Sequence, residues 1–110
     1  MTELASQVKN IYDHYFDDYE QMSYELKQLN VGQNHRERLF LKKYNISSLK
    51  YIHKLRIEEG ENLIRNTNMT VLNIAYTCGY GTTSQFNYYF KQHFGVTPKE
   101  YRKISNYCRA

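Results

Sequence analysis

TVLNIAYTCGYGTTSQFNYYFKQHFGVTPKEYRKI, residues 70–104, carries the strongest local signals in the chain. Val71, Ile74, Ala75 and Cys78 recur at helical spacing behind Thr70, a residue type that caps helix N-termini. Gly79, Tyr80 and Gly81 interrupt that helix. Thr82, Thr83, Ser84 and Gln85 follow with a capping-box pattern, a Thr with Gln three residues later, so a second helix starts there. Its apolar face is Phe86, Tyr89, Phe90 and Phe94, while Thr83, Ser84, Asn87, Tyr88 and Lys91 project from the other side. Gly95 supplies a left-handed stop, and Thr97-Pro98-Lys99-Glu100 pairs a capping box with proline at the first helical position of a short helix ending near Ile104. Two short helices around a glycine turn, the second with a polar outer face, make a helix-turn-helix unit. An ordinary αα-corner in a helical bundle fits the same spacing.

Upstream, Tyr51, Ile52, Leu55, Leu63 and Ile64 mark one longer helix from about Ser48 to Ile64 with Ser47 as its cap. Leu26, Leu29 and Val31, then Leu39, Phe40 and Tyr44, outline another helix pair joined near Asn30 to Gln33, with Asn45 at its left-handed end. Leu4, Val8, Ile11, Tyr12 and Tyr15 fit a leading amphipathic helix. The expected organisation is a leading helix and first helix-turn-helix over residues 1–46, a connecting helix over 47–65, and a second helix-turn-helix with a C-terminal helix over 66–110.

Composition agrees. At 110 residues the chain fits one compact domain or two small lobes, and one proline with five glycines is too few for a turn-rich β protein. No apolar run approaches the ~20 residues of a membrane span, and the first residues lack a secretory signal, so a cytoplasmic location is expected. Cys78 and Cys108 fall short of a disulfide framework and are read as reduced thiols; no Cys or His pair has zinc spacing. The 12 tyrosines suit rings packed at the rim of a small core with wet hydroxyls.

The net charge of +4 is unevenly spread. Residues 1–25 carry Lys9 against six carboxylates, residues 26–57 carry eight basic side chains against Glu37, and residues 65–110 carry six against Glu100; Glu58, Glu59 and Glu61 lie between the two basic stretches. A polyanion touched at two places explains the pattern. Solvated helix faces explain it too.

These residues resemble the DNA-binding domain of the AraC/XylS family of bacterial transcription regulators. The resemblance rests on Ile74-Ala75, Gly79-Tyr80, Ser84, Phe86, Phe90-Lys91, Phe94-Gly95, Thr97-Pro98 and Tyr101-Arg102, and upstream on Leu39-Phe40, Ile46-Ser47, Tyr51-Ile52, Arg56-Ile57 and Leu63-Ile64. It covers roughly residues 20–104. Asn45 replaces a usual glycine, Gly60 a frequent alanine and Gly32 a usual serine, and Glu25 and Arg36 fall at normally apolar positions.

The resemblance implies an all-α fold of two homeodomain-like helix-turn-helix subdomains joined by a connecting helix, whose recognition helices enter successive major-groove segments about 34 Å apart. Carried over by position, the base-contact candidates are Thr83, Ser84, Gln85, Asn87 and Tyr88 in the second unit and Gln33, Asn34, His35 and Arg38 in the first. Asn and Gln suit adenine, Thr or Tyr carbons suit the thymine methyl, and Arg38 suits guanine, so the second half-site should lean to A·T. A phosphate clamp is an equal role for Arg38. Lys42, Lys43, Lys50, Lys91 and Lys99, with the capped helix starts at Thr82 and Thr97, are phosphate candidates.

Double-stranded DNA is the implied partner, and RNA polymerase is a further partner that the resemblance allows. The chain is expected to be a monomer unless it is part of a longer chain, and it is similar to stand-alone members or to an excised C-terminal domain, without room for a ligand-binding domain. No catalytic constellation, metal site or cofactor motif appears, and His14, His35, His53 and His93 read as surface or packing residues. The competing class is a protein-interaction module, an anti-regulator that kept the fold and lost DNA binding.

Overall fold

The computed structural model describes residues 3–109, with side chains for residues 3–106. Cys108 lies outside the described side chains. Among the described residues there are seven helices and no strand: α1 Leu4–Tyr15, α2 Tyr19–Gln28, α3 Gln33–Tyr44, α4 Ser48–Asn66, α5 Val71–Thr77, α6 Thr83–Phe94 and α7 Pro98–Arg109. The C-terminal helix therefore runs past Ile104, its expected end. Residues 105–109 contain neither glycine nor proline to stop it. The chain divides into two compact units, Met1–Leu55 and Arg56–Ala110, so α4 contributes its first half to one and its second half to the other.

In the second unit Ile57, Ile64, Ile74, Ala75, Cys78, Tyr80, Phe86 and Phe90 form the buried core, with Tyr89, Phe94 and Tyr101 packed against it. Phe90 meets Phe86 and Tyr101 edge-on, with ring centroids 5.6 and 5.4 Å apart. The turn between α5 and α6 closes by a Schellman motif: the Tyr80 N–H donates to the Ala75 carbonyl and the Gly79 N–H to that of Tyr76, which needs Gly79 at φ 100°. Thr70 and Thr82 accept from the backbone N–H of Asn73 and Gln85 and so cap α5 and α6. Arg102 closes the end of α4, its guanidinium donating to the carbonyls of Ile64, Thr67 and Met69 at 3.2, 3.2 and 2.6 Å.

The first unit is built on Val8, Tyr12, Met22, Leu26 and Phe40, with Tyr44, Tyr51 and Leu55 against them. The buried Tyr12 hydroxyl donates to Ser48 Oγ at 2.8 Å. Fifty positions separate matching places in the two units: Phe40 and Phe90, Tyr44 and Phe94, Ser47 and Thr97, Tyr51 and Tyr101. Asn45 (φ 58°) and Asn30 (φ 55°) take the left-handed positions held by glycine in the second unit. Arg36 stands where the second unit buries Phe86. Its Nε is buried without a partner, which fits a charged side chain at a core position.

Candidate nucleic-acid interface

Each unit turns one face of one helix, α3 in the first and α6 in the second, inward and leaves the other to solvent. On α6, Phe86 and Phe90 are buried while Ser84, Gln85, Asn87, Tyr88, Lys91 and Gln92 are exposed and Thr83 is half-buried. Tyr88 is 59% exposed, with its ring edge-on to Tyr89. Among the described residues, the side chains of Ser84, Gln85, Asn87 and Tyr88 make no hydrogen bond within the chain. Their donors and acceptors are therefore available to a partner. Ser84, Tyr88 and Gln92 follow one another at i, i+4 and i+8, a single stripe along the helix.

On α3, Gln33, Asn34, His35 and Arg38 are all exposed. Gln33 donates to the Glu37 carboxylate at 3.0 Å, so its amide is partly engaged. Asn34 and Arg38 share a face at i, i+4. Because Gly32 offers no side-chain cap, the start of α3 keeps unpaired N–H groups beside these residues.

The phosphate candidates differ in state. Lys42, Lys50, Lys91 and Lys99 are exposed, and Thr82 is an exposed N-cap. Thr97 accepts from the Glu100 N–H and donates to its carboxylate, so its hydroxyl is already used. Lys43 is tied back onto α1, donating to Glu3 Oε2 and Ser6 Oγ, each at 2.7 Å. The hydrogen bond to Glu3 raises the Lys43 ammonium above its ordinary pKa. Sequence spacing could not reveal that pairing, because its partner lies at the other end of the unit.

Two leucines escaped the sequence reading. Leu41 and Leu49 are both exposed and share a depression with Arg38. The signal was present for Leu41: a helix that buries Phe40 and half-buries Leu39 and Tyr44 turns Leu41 away from the core by one 100° step. Two of the histidines make local contacts: His14 bonds the Asn10 carbonyl at 2.7 Å, and His93 lies edge-on to Phe94. No helix among the described residues is long and apolar enough to cross a membrane.

Comparison with known proteins places this arrangement. A family model described as a helix-turn-helix domain matches residues 26–104. The chain is similar to the HTH-type transcriptional regulator GbdR of Pseudomonas aeruginosa, with 32% identity over 75 residues, which is 68% of this chain and 20% of that protein. The chain thus matches about a fifth of the length of that relative. Its fold is similar to the C-terminal domain of AraT, a response regulator from Geobacillus stearothermophilus, at TM-score 0.86 and 24% identity over 94% of this chain and 86% of that one. It is also similar to the DNA-binding domain of the transcriptional factor AdpA, solved in complex with a target DNA, at TM-score 0.83 and 16% identity over 98% and 97% of the two chains. By its matched helix-turn-helix domain, this chain belongs to the AraC/XylS family of transcription regulators.

Proposed function

We propose that this chain binds double-stranded DNA sequence-specifically and regulates transcription, its two helix-turn-helix units, joined through the helix over residues 47–65, placing α3 and α6 in successive major-groove segments. One observation carries the reading. The same asymmetry occurs twice, a recognition helix with an aromatic inner face and an outer face of exposed side chains rich in hydrogen-bonding groups. Membership of a regulator family and the likeness to AdpA's DNA-binding domain support it. The chemistry asked of the chain is recognition, not catalysis, and its place of action is the cytoplasm. It binds as a monomer when it acts alone, and RNA polymerase is the further partner that regulation would call on.

The roles divide by chemistry. On α6, Asn87 and Gln85 offer amide pairs that match adenine, and the carbons of Thr83 and Tyr88 meet the thymine methyl, with Ser84 adaptable to either. On α3, Arg38 presents the planar fork that suits guanine, beside Asn34, Gln33 and His35. Lys42, Lys43, Lys50, Lys91 and Lys99, with the helix starts at Thr82 and Thr97, position the backbone.

Selection of preferred duplexes from a random pool, followed by affinity measurements on variants, tests this. Arg38→Ala should relax discrimination at one G·C pair by about 1–3 kcal/mol, and Asn87→Ala or Tyr88→Ala should do so at A·T pairs in the other half-site. Equal losses at every position would reduce these side chains to backbone positioning. No preferred duplex at all would favour the anti-regulator reading.

A further inference from the structure

Leu41 and Leu49 are apolar side chains held in water on a face otherwise made of charged and polar groups, at 49% and 65% exposure. Together with Arg38, Glu37, Ser47 and Ser48 they line one shallow depression of about 320 Å³. Leu41 follows Arg38 by three residues, so the two are neighbours along α3. The core does not need Leu41, because Phe40 is fully buried and Tyr44 packs beside it.

Fifty positions later the matching place on α6 holds Lys91, which lines a depression with Tyr88, Gln92 and Gly95. The two faces therefore differ in kind at this place, as they do at Arg38 and Tyr88. A lysine there meets phosphate or solvent, whereas a leucine gains only by meeting carbon. The apolar feature that a base edge presents in the major groove is a C5 methyl group on a pyrimidine. Thymine carries it, and so does 5-methylcytosine.

On the DNA-binding reading given above, we propose that Leu41, with Leu49 as the second wall, reads the C5 methyl of a pyrimidine next to the base met by Arg38. The contact buries about one methyl group, which corresponds to roughly a 3- to 5-fold change in affinity. It gives the first unit a methyl contact at a place where the second unit holds Lys91.

The test uses the full chain and the duplex obtained by selection. Deoxyuridine replaces thymidine at each thymine of the first half-site in turn, removing only the methyl group, and affinity is read by fluorescence anisotropy. One position should cost the unmodified chain about 3- to 5-fold and cost Leu41→Ala nothing further. Leu41→Lys, which installs the residue type found on α6, should bind at least as well as Leu41→Ala yet be equally blind to the methyl. Both substitutions are at an exposed position, so helix content by circular dichroism should be unchanged.

At the sensitive position, 5-methylcytosine is then compared with cytosine. Recovery with 5-methylcytosine identifies the methyl group itself as the ligand, and recovery with thymine alone assigns the contact to thymine. Equal deoxyuridine losses in the unmodified and Leu41→Ala chains, or no sensitive position, overturn the inference and leave DNA binding standing. Failure to select any duplex would instead overturn the DNA-binding reading on which it rests.

Discussion

Gly60 sits inside the 19-residue helix α4, where glycine costs about 1 kcal/mol relative to alanine. A Cβ there would lie 2.5 Å from Cε1 and 2.8 Å from Cζ of Phe86, and that ring is fully buried between Tyr80 and Phe90. Overpacking of this kind costs about 1–3 kcal/mol, more than the helix gains. Gly60→Ala should therefore lower stability by about 1 kcal/mol in urea unfolding, net of the propensity gain; a more stable variant would mean that the Phe86 ring re-seats freely. The departure at position 60 was visible in the sequence, but its cause was not, because it depends on a ring contributed by another helix. Arg36 shows the converse. Its misfit at an apolar position was legible from the spacing to Phe40, and the structure gives the consequence, a buried Nε without a partner and a long bond from the guanidinium to the Val31 carbonyl at 3.4 Å. Removing an orphaned buried donor in favour of a well-packed apolar group stabilises, so Arg36→Leu should raise stability by about 1–2 kcal/mol. A loss in the same urea titration would show that the guanidinium is better satisfied than its geometry indicates.

The helix ends explain why the second unit is so much more legible in the sequence than the first. Thr70, Thr82, Gly79, Gly95 and Thr97-Pro98 are residue types with strong positional meaning, and each does in the structure what its type suggests. In the first unit the same positions carry weaker signals: Gly32 in place of a capping hydroxyl, and Asn30 and Asn45 in the left-handed conformations that Gly79 and Gly95 adopt. The helices form anyway because their inner faces are buried, with Phe40 in contact with Tyr12, Tyr44 and Tyr51. Packing supplies what capping does not. Gly32 has an extended backbone open to any residue, φ −62° and ψ 148°, and nothing lies within 4 Å of a Cβ placed there. Gly32→Ser should add a cap and reduce unfolded-chain entropy, raising stability by about 0.5–1 kcal/mol by thermal unfolding. Stability equal to that of the unmodified chain would show that the N–H groups at the start of α3 are already satisfied by water at no disadvantage.

Electrostatics acts on the molecule as a whole, first through stability. Burial raises the phenol pKa of Tyr12, Tyr51 and Tyr80, a hydrogen bond to Glu61 does so for Tyr101, and a hydrogen bond to Asp13 raises the Lys9 ammonium. In every case the fold favours the protonated form, so this stability is complete below the ordinary values near pH 10 and is lost as pH climbs through the raised ones. Melting temperature should accordingly change little from these groups between pH 7 and 9 and fall steeply above about 10; a fall centred near neutrality would point to other groups. Charge acts next through binding, where each phosphate neutralised contributes about −0.9 to the slope of log affinity against log salt. Lys91 is exposed, and on the proposed DNA-binding reading Lys91→Ala should reduce the magnitude of that slope by about 0.9 while weakening all sequences alike. Lys43 arrives already paired with Glu3 at 2.7 Å, and engaging a phosphate would first require breaking that pair, so fewer counterions are released on balance. Lys43→Ala should therefore change the slope less than Lys91→Ala does, and Glu3→Gln should steepen it by freeing Lys43. Slopes measured for the three variants on one duplex decide the matter: equal changes for the two lysine variants, with no effect of Glu3→Gln, would mean that Glu3 exerts no hold on Lys43 at the DNA surface.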